Sequence, residues 1–153
     1  MLVQELNIEE CHLALAQAGF GRLACARDNQ PYVIPIHFAV DEAYVYGFSL
    51  AGQKLEWMRD NACVCLEIDN VNGASDWTSV VVLGRFEELP DTPEYRSARG
   101  RAHDLLQDRP MWWEPGTVGL AAGNKSPDFT PVYYRVSMEH VTGRRGAPSP
   151  EQP

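Results

Sequence analysis

The chain has 153 residues, 44% of them apolar and 10% aromatic, with 13 Lys and Arg against 21 Asp and Glu for a formal net charge of −8. That length and apolar content suffice for one domain with a proper core and leave little room for a second. The negative balance excludes a sequence-independent grip on DNA or RNA, which needs clustered Lys and Arg against phosphates. No stretch approaches the roughly 20 apolar residues that cross a bilayer. The opening MLVQELNIEE has neither a basic nor an apolar leader region. A soluble cytoplasmic protein is expected.

The first expected element is a helix. Asn7 stands three positions before the Glu10 carboxylate as a capping pair, Leu13, Leu15, Ala16 and Ala18 supply the apolar pattern, and Gly19 closes it. GRLACAR and PYVIPIHFAV read as two strands joined by the turn Asp28-Asn29-Gln30. In the second of these, Tyr32, Ile34, Ile36 and Phe38 share one face and Val33, Pro35, His37 and Ala39 the other. Pro35 lacks an N–H and marks an edge or bulge position.

After the Asp41-Glu42 turn, AYVYGF is a third strand, and GQKLEWMRDN has helical spacing. A fourth strand spans Asn61 to Asp69, and WTSVVVLGRFEEL is the longest β run, broken by Pro90 to Pro93. Glu94 to Gln107 reads as a surface helix, residues 109 to 130 as a Pro- and Gly-rich loop ordered by packing, and VYYRVSMEHV as the last strand. One domain over residues 1–142 is expected, followed by a flexible Pro-rich tail, 143–153, that holds Arg144 and Arg145. About six strands with a few helices make a mainly β architecture, an antiparallel barrel or sheet with helices at its ends.

Cys11, Cys25, Cys63 and Cys65 show no zinc-type spacing and read as buried free thiols, the last two sharing one face of a strand. His12, His37, His103 and His140 form no triad or ligand set, so no metal site is expected.

Three places have chemical potential. Ser49, Gly52, Gln53 and Lys54 run from a strand end into a helix start, a plausible phosphate cradle of unpaired N–H groups plus one cation; the plain alternative is a solvated loop with a surface lysine. The irregular edge at Pro35 suits a flat ring, or is simply an edge-strand proline. Trp77-Thr78-Ser79 offers an indole and two hydroxyls at a strand entry, or a core tryptophan beside it.

Taken together, GRLACARDNQPYVIPIHF, YGFSLAGQKLEWMRDNACVCLEID and WTSVVVLGRFEEL resemble, in order and spacing, the pyridoxamine 5′-phosphate oxidase-related FMN-binding family, in particular its branch of nitroimidazole-resistance proteins. The resemblance runs from about residue 20 to residue 89, and VYYRVSMEHVTGRR is similar to that branch's last strand. It implies a six-stranded antiparallel split β-barrel with flanking helices, and a homodimer with FMN sites at the subunit interface. By position it puts the phosphate on Ser49, Gly52, Gln53 and Lys54, the flavin ring along Val33, Ile34, Pro35 and Ile36, and further flavin contacts on Ser79 and Val80 beside Trp77.

The activity so implied is that of a small FMN-dependent oxidoreductase acting on a small molecule of unassigned identity, with no catalytic residue singled out. The alternatives are a non-catalytic flavin-binding, storage or sensing protein, and a haem or deazaflavin binder. Two departures from the family pattern stand out. Gln53 occupies the place of an arginine, which lowers the expected FMN affinity, and Gly47 occupies the place of the nitroimidazole-resistance histidine. Trp112 and Trp113 lie outside the resemblance; either they plug the end of the barrel, or one closes the partner subunit's flavin pocket as a lid.

Overall fold

A computed structural model describes residues 1–107 and 131–150. In it β1 (Leu2–Glu5) leads into α1 (Ile8–Ala18). The helix starts where the sequence provides a reciprocal cap: Glu10 N–H donates to Asn7 Oδ1 at 2.8 Å, and Asn7 N–H donates to Glu10 Oε2 at 2.9 Å. It stops at Gly19, whose φ of 62° is the left-handed conformation glycine adopts without strain. The buried stripe is Cys11 and Leu15, one turn apart, so Leu13, expected among the apolar positions, stands off that stripe and is exposed.

β2 (Phe20–Arg27) and β3 (Gln30–His37) form a hairpin in unbroken register from Phe20↔His37 to Arg27↔Gln30. The turn residues Asp28 and Asn29 have φ of 51° and 62°, the paired left-handed geometry that matches a two-residue loop to the strand twist. There follow β4 (Ala39–Val40), β5 (Tyr44–Ser49), α2 (Gln53–Asp60), β6 (Cys63–Gly73) and β7 (Asp76–Glu88). A 3-10 turn at Pro93–Tyr95 runs into α3 (Arg96–Leu106), and β8 (Val132–Ser137) and β9 (His140–Ala147) complete the described elements.

Nine strands are thus present among the described residues, against the six expected. β1 is short and fully exposed, too polar and brief to announce itself. VYYRVSMEHV divides at Met138 and Glu139 into the end of β8 and the start of β9. β9 continues to Ala147, so the expected boundary at 142 falls inside a strand. Arg144 and Arg145 pair with Glu5 and Gln4 of β1, and ladders on both sides of β9 supply order that local composition does not signal. Trp112 and Trp113 lie outside the described residues.

The strand order is β3-β2-β6-β7-β8-β5-β4, every pair antiparallel, with β9 on β7 and β1 on β9. The long β7 serves two neighbours, β9 through Trp77 to Leu83 and β8 through Phe86 to Glu88. β3 and β4, the ends of the path, do not pair, so the sheet is an open, split barrel. Leu23, Leu66 and Val82 point inward and meet Leu15 of α1 and Leu55 and Met58 of α2, all at 1% exposure or less. Each such side chain contributes about 1.5–3 kcal/mol by leaving water. A smaller cluster joins Ala102 and Leu106 of α3 to Tyr46 and Leu89.

Among the described residues no helix is long and apolar enough to cross a membrane. Cys11 and Cys25 are buried as expected, whereas Cys63 is exposed and Cys65 half-buried. The two do share a strand face, but it is the outer one, because Val64, Leu66 and Ile68 take the inward positions of β6.

Candidate functional site

α2 begins at Gln53 on Gly52, and no side chain caps it. Its first-turn N–H groups and Lys54 together make a positive helix end. Gly52 has φ 174°, extended backbone open to any residue, and a Cβ there would meet nothing nearer than the Leu50 carbonyl at 4.0 Å. Neither conformation nor packing among the described residues calls for glycine at this position. Ser49 is fully buried and its hydroxyl donates to the Leu50 carbonyl at 2.9 Å, so it shapes the bend beneath the helix start and reaches no open surface.

The underside of α2 fixes where this cradle sits. Leu55 and Met58 enter the core, Trp57 packs 5.4 Å from Tyr32, and the Arg27 guanidinium lies 5.1 Å from the same indole. Burial pushes the Cys25 thiol pKa up, and the nearby charge of Lys54 partly offsets that rise. Cys25 pairs with Tyr32 across the hairpin, so the cradle and β3 lie side by side.

Among the described residues β3 pairs only with β2 and is an edge strand, which accommodates Pro35. The strip expected to flank a ring divides by strand alternation. Val33, 58% exposed, and Pro35 face outward, Ile34 packs against the core, and Ile36 is buried. On β7, Ser79 is half-buried on the outer face, but Val80 is completely buried. Val80 lies between Ile68 and Gly143 in the ladders and points into the core, so its side chain does not meet the open surface where a cofactor contact was expected.

Register gives the spacing of these parts. Pro35, Arg22, Glu67 and Val81 form one cross-strand row. Three strand spacings, about 14 Å, therefore separate the β3 strip from the outer face of β7. Between them Arg22 lies 3.5 Å from Glu67 and 3.4 Å from Asp69. Burial and the adjacent Asp69 carboxylate push the Glu67 pKa up, with Arg22 opposing. The chain thus carries two separated surface features: the α2 helix start with β3, and a groove of about 650 Å³ lined by Trp77, Ser79, Val81, Thr142 and Arg144.

Thr142 and Arg144 were not expected in any site. Their signal was the alternation of Thr142 and Arg144 with Val141 and Gly143, obscured by the Pro-rich segment that follows. Gly47, at the position of the family branch's histidine, faces the Tyr134 ring so closely that a Cβ would lie 2.3 Å from Cζ. Among the described residues no group of His, Cys, Asp or Glu is arranged to hold a metal.

An open antiparallel sheet of this order, with helices packed on one face, defines the split-barrel class of folds. Residues 7–145 match the family model described as pyridoxamine 5′-phosphate oxidase, and the chain belongs to that family. An uncharacterized protein of Rhizobium meliloti (strain 1021) is 40% identical over 144 residues, covering 94% of this chain and 95% of the relative. The crystal structure of a FAD-binding protein from Mesorhizobium loti is also 40% identical, with a TM-score of 0.76, covering 94% of this chain and 96% of that one. The structure of a FAD-binding protein from Mycobacterium smegmatis shares the fold at 22% identity, with a TM-score of 0.66, covering 92% of this chain and 98% of that one.

Proposed function

We propose that this chain binds FMN and serves as a small flavin-dependent oxidoreductase. The observation that carries the reading is the cradle itself. A helix start lacks a capping side chain, a cation stands in its first turn, and a glycine there has no internal reason to be glycine. These features fit a phosphate brought against the backbone. Lys54 and the N–H groups of α2 hold the phosphate, and Val33 and Pro35 flank the ring on the edge of β3. Bound FMN supplies hydride and electron chemistry, while the protein contributes orientation and shielding from water. Family membership supports a flavin and leaves the substrate open.

In this reading a second copy of the chain completes the site, because the Trp77–Ser79 half-site is three strands away from the cradle. The apolar row of Val33, Ala24, Cys65 and Leu83 on the outer face of β3, β2, β6 and β7 joins the two copies, and the assembly is a cytoplasmic homodimer. A second reading replaces FMN by FAD, and it is favoured by the 40% identical Mesorhizobium loti protein described as FAD-binding.

The visible spectrum of the purified protein, followed by chromatography of the flavin released by acid, tests both readings. Bands at roughly 375 and 450 nm with released FMN are expected. Released FAD selects the second reading, and a Soret band or failure to take up any flavin rejects both. Oxidation of NADH or NADPH above the free-flavin background separates an enzyme from a flavin store or sensor.

A further inference from the structure

The outer face of β7 and β9 carries a graded patch outside the cradle. At one end Trp77 faces Gly146, and a Cβ on that glycine would lie 2.3 Å from the indole Nε1. Only glycine lets the ring lie against β9 there. Val71 and Val3 flank the pair in the same row, 69% and 55% exposed. The next row on this face is Glu5, Arg144, Ser79 and Asp69, and the one after it contains Thr142 and Val81. Among the described residues the Arg144 guanidinium has neither an ion pair nor a hydrogen bond. Glu5 stands across from it without forming a salt bridge, and Asp69 is engaged by Arg22.

A flat aromatic surface bordered by aliphatic side chains lies one row from a guanidinium and a hydroxyl, with a second hydroxyl one row further. The indole and its aliphatic borders suit a base. Arg144, Ser79 and Thr142 present donors from two strands to the several oxygens of a phosphate, more than a planar carboxylate uses. The flanking carboxylates of Glu5 and Asp69 disfavour a dianion and suit a phosphodiester with one charge per phosphate.

We infer that the β7–β9 groove is a subsite for the adenylate half of a dinucleotide, with the base on Trp77 and the phosphate on Arg144 and Ser79. The same chemistry is offered by the adenylate of FAD and by that of a nicotinamide dinucleotide. The first source rests on the flavin reading above; the second does not.

Titration of the full chain with FMN and FAD by flavin fluorescence, and with NADH by its own fluorescence, tests the subsite in the parent and in Arg144→Ala. The exposed, unpartnered Arg144 makes this variant fold as the parent does, checked by its melting temperature, and Arg144→Lys provides an intermediate case. The expected result is that Arg144→Ala weakens FAD, NADH or both about tenfold or more, the size of a lost charge-assisted hydrogen bond, and weakens FMN, which lacks the adenylate, by several-fold less. Loss for FAD alone assigns the groove to the cofactor, and loss for NADH alone to the electron donor. Equal loss for FMN and FAD, or no loss for either dinucleotide, overturns the inference. Arg144-dependent NADH binding by a chain that takes up no flavin retires the flavin reading and leaves the subsite standing.

Discussion

Arg101 Nε donates to Asp41 Oδ2 at 2.7 Å, and the Tyr46 hydroxyl donates to the same oxygen at 2.9 Å. The backbone N–H groups of Ala43 and Tyr44 donate to Oδ1, each at 2.9 Å, so one carboxylate ties α3 to the turn between β4 and β5. Burial alone raises the Asp41 pKa, but these four hydrogen bonds outweigh it and hold the group at about 2, below its ordinary 3.8. A depressed carboxyl pKa contributes stability that is complete above the unfolded value and is lost as pH falls through the folded one. Urea unfolding of the parent should therefore lose on the order of 2 kcal/mol from this group as pH drops from about 4 to about 2. Asp41→Asn should be less stable at neutral pH and show a shallower acid dependence in that window. An unchanged acid slope in the variant would remove Asp41 from the account.

Gly47 pairs with Tyr134 between β5 and β8, and a Cβ at Gly47 would lie 2.4 Å from the tyrosine oxygen. The tyrosine ring fills the space a side chain at 47 would need. Gly47→His should therefore cost about 1–3 kcal/mol or more through overpacking. Opening the space with Tyr134→Ala should make the same histidine less costly than it is in the parent. A double-mutant cycle on melting curves reads this coupling, and strictly additive effects would refute it. A side chain at position 47 is thus opposed by the packing of the Tyr134 ring.

Features set by neighbours along the chain were legible from the sequence. The Asn7–Glu10 cap, the Gly19 stop, the Asp28-Asn29 turn and the start of α2 after Gly52 all depend on local stereochemistry, and all are present. Features set by pairing partners were not. β1 exists because β9 offers it an edge, and Arg144 belongs to a strand because β1 and β7 flank it. The inward turn of Val80 and the outward turn of Cys63 depend on which strand face meets the helices, and an apolar run such as SVVVLG leaves that choice open.

The cradle predicts a separation of binding from stability. Lys54→Ala should weaken flavin binding by about 1.5–3 kcal/mol, the range for a hydrogen bond to a charged group. Gly52→Ala should melt with the parent, since its Cβ meets no atom nearer than 4.0 Å, yet bind flavin less well because the methyl group stands where the phosphate approaches. Gln53→Arg should tighten binding by adding a second cation. Fluorescence titration beside thermal melts measures both quantities. Parent-like affinity in both Lys54→Ala and Gly52→Ala would move the phosphate elsewhere.

The outer sheet face predicts the assembly. Val33, Ala24, Cys65 and Leu83 form one cross-strand row, in which Val33 and Leu83 are 58% and 49% exposed. Among the described residues no helix covers this row, whereas α1 and α2 cover the opposite face through Leu15, Leu55 and Met58. A continuous apolar row left bare on a sheet face marks a partner surface, and an isologous contact lets the same row meet itself. Light scattering should give about twice 17.1 kDa for the parent. Leu83→Lys introduces a charge at the β7 end of this row and should shift the protein to monomer without lowering the monomer's own stability. Flavin affinity should fall in parallel, because the cradle of one chain then loses the β7 half-site of the other. A parent that stays monomeric at micromolar concentration, or a Leu83→Lys dimer with undiminished flavin affinity, would mean that the cofactor site is complete within one chain.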